Sequence, residues 1–184
     1  MNSKSIGNSF ERQFSRELSL WVSDGKDDDL FWRDQSSGAK STTRKKQGKE
    51  NKNDGDLVAI DLKYQEFVDL FYIDTKCYKK FNSFIINNKN INSNDIFLQW
   101  VKVCNDCPEN KIPFMICKIR DRVTPQFFVF PVIVDCNNIN MVCYSILYKD
   151  IQYNFFIVLQ EDFFKLNNYN QFLKENRRIL LEHE

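Results

Sequence analysis

Imidazole is nearly missing from this chain. Its one histidine, His183, is next to the last residue. The expectation is a mechanism without imidazole, which sets aside Ser-His-Asp and Cys-His hydrolases, most zinc enzymes and histidine-based nucleases. Long apolar runs are missing too. No stretch reaches the roughly 18 apolar residues of a membrane-spanning helix, and the opening MNSKSIGNSFERQFSREL has no apolar signal core. The expectation is a cytoplasmic protein, in the host cytoplasm if viral, with no membrane partner. Six cysteines are scattered at 77, 104, 107, 117, 136 and 143, and in that compartment they read as reduced thiols. Cys104 and Cys107 form the single CxxC, with only lone cysteines to complete a tetrahedral zinc site, so core or helix-end thiols are expected. A net charge of +1 names no partner by itself.

What remains is a chain built to fold. Hydrophobic residues make up 42% of 184, aromatics 15%, and there are 17 Phe, which excludes a disordered protein and suffices for one core. One domain over 1–184 is expected, its core at about 6–134, with the strands and helix of 135–184 offering a dimer or partner surface. Phe10, Phe14, Leu18 and Trp21 recur at helical spacing within 4–22. Strands are expected at 29–33, 56–61, 70–78, 112–119, 127–134, 141–148 and 154–159, with 56–61 and 70–76 forming an antiparallel hairpin across a polar connection. A middle helix over 93–104 takes Ser93 as N-cap, and a last helix covers 170–182. The class is α+β: a mixed central sheet flanked by helices.

Two features carry chemistry. Between Arg33 and Lys52, seven basic residues (Arg33, Lys40, Arg44, Lys45, Lys46, Lys49, Lys52) face two acids in a polar segment rich in Ser, Thr, Gly and Asn. This composition suits contacts to phosphates, and a loop near twenty residues in a compact domain is more often functional than idle. The second feature interrupts the apolar run FYIDTKCYKK, where Asp74 and Lys76 share a strand face. Acid-x-Lys pairs also occur at 24/26, 50/52, 61/63 and 109/111, so spacing alone selects none. In the expected hairpin Asp56 meets Asp74, whereas Asp61/Lys63 has no earlier acid to face it. Two carboxylates and a lysine suit Mg²⁺ and a phosphodiester. Glu11 and Glu17 lie equally close to the apolar stripe of the first helix, one on each flank.

The ordered series FER (10–12), FWR and SSG (31–38), GDLVAID (55–61), YIDTK (72–76) and Gln99 resembles the PD-(D/E)xK nuclease superfamily, in its Holliday-junction-resolvase-like and phage-type endonuclease branch. The resemblance covers about residues 6–120. It implies a restriction-endonuclease-like fold and Mg²⁺-dependent cleavage of DNA, branched DNA included, with Mn²⁺ able to substitute. By position it makes Asp56, Asp74 and Glu11 metal ligands, Lys76 the catalytic lysine and Gln99 its helper. Arg33, Ser36, Ser37, Lys40, Arg44, Lys45, Lys46 and Lys49 become DNA contacts. Gly55 replaces the proline of the motif, and Asp74 replaces the commoner Glu.

Neutralising Lys45, Lys46 and Lys49 together removes up to three phosphate contacts, each contributing about 0.9 to the log-log salt slope on duplex DNA. Binding measured against salt should weaken on every sequence and lose salt sensitivity, with Mg²⁺ affinity unchanged. An unchanged slope makes the segment a solvated insertion.

Overall fold

A computed structural model describes residues 3–34, 55–80, 85–87, 89–120, 126–134 and 140–181. Helix α1 (Ser3–Val22) forms where expected and buries Phe10, Phe14, Leu18 and Val22, four residues apart. Phe14 sets its edge against Phe114 and Phe128, which ties the helix to the sheet beneath. Asp24 and Gly25 end α1 with positive φ, the Gly25 amide donating to Leu20 O at 2.7 Å. The chain then returns along the helix, because the buried Ser19 hydroxyl accepts the amides of Leu30 and Phe31 at 3.0 and 3.1 Å. Strand β1 (Phe31–Arg33) is thereby fixed against α1.

β1 pairs antiparallel with β2 (Leu57–Ala59), Trp32 opposite Val58, in a sheet of two strands. The expected hairpin of 56–61 with 70–76 is therefore wrong. The residues between them coil instead, through a 3₁₀ turn (Leu62–Tyr64) and helix α2 (Gln65–Leu70), and bury Tyr64, Phe67, Val68 and Leu70. Asp61 is used locally, its side chain accepting the Lys63 amide at 2.9 Å, while Lys63 lies over the Tyr64 ring. That removes Asp61/Lys63 as a rival site.

The main sheet has the order β3-β4-β5-β7-β6. Strand β3 (Phe71–Tyr78) runs parallel to β4 (Ile112–Ile119), joined through α3 (Asp95–Asp106). Asn94, not Ser93, caps α3, accepting the Phe97 amide at 3.0 Å. β5 (Phe127–Pro131), β6 (Met141–Tyr148) and β7 (Ile151–Leu159) complete the sheet in antiparallel pairs. Lys149 and Asp150, both at positive φ, make the two-residue turn between β6 and β7. Helix α4 (Gln160–Leu166), which the sequence reading left unassigned, precedes α5 (Tyr169–Leu181).

The class is α+β, a mixed five-stranded sheet and a two-stranded sheet flanked by helices. One core cluster joins α1, α2, α4 and α5 to one sheet face; the other lies under α3. β3 alternates between them: Phe71 and Ile73 belong to the first, Tyr72 and Tyr78 pack against the second. Among the described residues no helix is long and apolar enough to cross a membrane.

Candidate active site at the free edge of β3

Among the described residues β3 is an edge strand, and its free side would expose unpaired backbone groups. Asp56 covers part of it. Its amide donates to Ile73 O at 2.8 Å, and its Oδ2 accepts from both the amide and the hydroxyl of Thr75, at 2.8 and 3.0 Å. The Asp56 carbonyl in turn accepts the Asp34 amide at 2.7 Å, tying β1 to the same place. Gly55 makes the approach feasible. It sits at φ +149°, and a Cβ there would stand 3.2 Å from Ile73 O and 3.3 Å from Ile73 N. A proline at this position fits neither the angle nor the space.

Asp74 and Lys76 project together on the α3 side of β3, where Lys76 Nζ donates to Asp74 Oδ1. From α3, Gln99 Nε2 donates to Asp74 Oδ2 at 3.4 Å. Glu11 arrives from α1 and meets Arg33, Nε to Oε2 3.4 Å, with those side chains only 15% and 16% exposed. Neither atom has a hydrogen bond, so the pair is held by charge without the directed geometry that would satisfy it. Glu11, Asp56, Asp74, Lys76, Gln99 and Arg33 thus belong to one neighbourhood. Arg33, expected on DNA beside the basic segment, lies among the acids. Ser36, Ser37, Lys40, Arg44, Lys45, Lys46 and Lys49 lie outside the described residues.

The electrostatics agree with the distances. Burial pushes the Asp74 carboxyl up to about 6; Lys76 pulls against this and Asp56 adds to it. Glu11 is raised as well, first by burial and then by Asp56, with Arg33 and Lys76 opposing. Burial alone would lower Lys76, but Asp74 and Asp56 outweigh it and hold the amine above its ordinary range. Buried acids that repel one another are the condition a hard divalent cation relieves. Asp56, Asp74 and Glu11 offer oxygen donors only, and Glu11 Oε2 has no hydrogen bond to give up. In chemical type, though not in their present arrangement, these donors are the kind that Mg²⁺ or Mn²⁺ takes. Lys76 and Arg33 pair with Asp74 and Glu11, and among the described residues no three Asp, Glu, Cys or His groups stand together in metal-ligating geometry.

Periodicity left Glu11 and Glu17 undecided, and the structure separates them. Glu17 is bound by three glutamines: Gln13 Nε2 at 2.7 Å, Gln160 Nε2 at 2.7 Å, and Gln126 Nε2 at 3.0 Å to the nearer oxygen. It fastens α1 to the starts of β5 and α4. Sequence reasoning missed Thr75, whose hydroxyl fixes Asp56. The residue between acid and lysine points to the opposite face, so the pattern that singles out 74 and 76 passes over it.

Glu11→Gln should abolish or sharply reduce any metal-dependent activity while leaving stability equal or higher, because it removes a buried charge that Asp56 repels. Glu17→Gln should do the reverse, costing about 1–2 kcal/mol in urea unfolding through weakened charge-assisted hydrogen bonds and sparing activity. Equal, small effects of the two substitutions on activity would mean that α1 contributes only packing. Compared with protein-family models, curated proteins and solved structures, the chain matches none.

Proposed function

We propose that the chain is a metal-dependent deoxyribonuclease of the PD-(D/E)xK kind that hydrolyses phosphodiester bonds, with branched DNA such as four-way junctions as its substrate. One observation carries the reading: the edge of β3 brings Asp56 beside Asp74 and Lys76, with Glu11 entering from the other side of the sheet. A bare phosphate-binding surface gains nothing from three acids that repel its ligand. Held by Asp56, Asp74 and Glu11, Mg²⁺ or Mn²⁺ would neutralise the phosphodiester and acidify a water molecule.

The chain's own groups divide the remaining work. Lys76, kept protonated by Asp74 and Asp56, serves as a hydrogen-bond donor that orients the attacking water and stabilises charge developing on phosphate oxygen. Gln99 holds Asp74 Oδ2 from α3, and Thr75 holds Asp56 Oδ2 from β3 itself. Arg33 is placed to exchange Glu11 for a phosphate oxygen, to which its guanidinium can donate two parallel hydrogen bonds. A second reading, a nuclease-like fold that binds nucleic acid or a protein partner without cutting, draws on the two ion pairs. Lys76 on Asp74 and Arg33 on Glu11 also describe acids neutralised for structural reasons.

The two readings separate on purified protein given supercoiled, nicked, linear, flapped and four-way-junction DNA, with and without Mg²⁺ or Mn²⁺. The expected result is metal-dependent cleavage that Asp74→Ala and Lys76→Ala each abolish, the double variant being no worse than either single one because both residues serve one step. DNA binding without cleavage under any of these conditions favours the second reading.

A further inference from the structure

Outside the acidic site, the elements that build it also gather cations. In the parallel pairing of β3 with β4, Cys77 stands opposite Lys118, and the Arg120 amide donates to Tyr78 O at 2.6 Å. Lys79, Lys80, Lys118 and Arg120 are therefore all placed at the end of this strand pair. Lys118 turns back toward α1: its Nζ donates to Gln13 Oε1 at 2.8 Å and lies 5.9 Å from the Phe10 ring centroid. Arg12, one residue before Gln13 and one after Glu11, stands exposed on that helix. Arg12, Lys79 and Lys80 are all exposed, and among the described residues none of them pairs with a carboxylate.

We propose that Arg12, Lys79, Lys80 and Lys118 form a track for the phosphate backbone of DNA leading away from the site along the ends of β3 and β4. The inference rests on the nuclease reading and adds residues that lie outside the basic stretch 33–52 of the sequence. At about 3.3 Å per residue of strand, Lys79 lies about 10 Å from Lys76 and about 16 Å from Asp74. Duplex DNA carries one phosphate charge per about 1.7 Å of axis, so a duplex seated at the site has several phosphates within reach of the track. The sign of the charge also suits its place. The acids repel DNA, and neighbouring cations without acidic partners offset that repulsion where the strand must be held. Lysine and arginine hold phosphates by charge, so the track fixes position and carries no sequence preference.

The test is the triple substitution Arg12→Gln, Lys79→Gln, Lys80→Gln, all at exposed positions, read by fluorescence anisotropy of a labelled duplex against KCl in EDTA. The log-log salt slope should shrink by up to about 2.7, about 0.9 for each lost phosphate contact, and Lys118→Gln alone by about 0.9. In Mg²⁺ the triple variant should raise KM with little change in kcat. A wild-type slope and KM in the triple variant, with the parent binding and cutting DNA, overturn the track and leave the nuclease reading standing. A parent that neither binds DNA in a salt-dependent way nor cuts it overturns both.

Discussion

The arrangement depends on how one open strand edge is closed. β3 has β4 on one side, and on the other it has Asp56, which supplies a main-chain donor to Ile73 and a carboxylate acceptor to Thr75. A side chain thus completes a ladder that no neighbouring strand among the described residues extends. The consequence is chemical as well as structural: the carboxylate that satisfies the edge is held against the carboxylate of Asp74. Gly55 is required because any Cβ at that point would press on the Ile73 backbone.

From this contact the other parts follow in order. β1 reaches the site because Ser19 captures its leading amides and because the Asp34 amide donates to Asp56 O. Arg33 is carried with it, so the cation on β1 and Glu11 on α1 meet beside the acids of β3. α3 packs over the opposite face through Phe97, Trp100 and Val103, and that packing sets Gln99 above Asp74. The site is assembled from both faces of the sheet, and it can be assembled only at an edge. This accounts for an acid and an amine in an otherwise apolar strand: at the edge, a polar face has somewhere to go.

Much of this was legible in the residues. The spacing of Phe10, Phe14 and Leu18 located α1, and β4 and β6 have the bounds expected from their apolar runs. Asp56, Asp74, Lys76, Glu11 and Gln99 were each named, and the structure brings them together. The route was misjudged. The hairpin expectation placed Asp56 opposite Asp74 through a shared ladder, whereas β2 pairs with β1 and Asp56 reaches β3 through its own amide, bonded to Ile73, and its carboxylate, bonded to Thr75. Tyr64, Phe67 and Val68 lie within a polar stretch too short for a helical period to stand out, so α2 was read as a connection. Asn94 displaced Ser93 as the cap because helix boundaries shift by a residue without changing the pattern. Thr75 and Ser19 act through one hydroxyl each on groups distant in sequence, and no local pattern announces such bonds.

At this edge the fold buries the Asp74 carboxyl and sets that of Asp56 beside it, at a cost in stability. Folded Asp74 holds its proton more tightly than the unfolded chain does, its pKa having moved from 3.8 to about 6. The stability it contributes is therefore fully present below 3.8 and is lost as pH rises through about 6. The most direct measurement is the unfolding free energy from urea titrations across that window in EDTA, for the parent chain and for Asp74→Asn. The parent should lose stability with rising pH relative to the variant, and Mg²⁺ added at the upper end should restore it to the parent alone. Parallel pH profiles, with no stabilisation of the parent by Mg²⁺, would show that burying Asp74 beside Asp56 carries no such cost and that the edge of β3 is only an ion-paired surface.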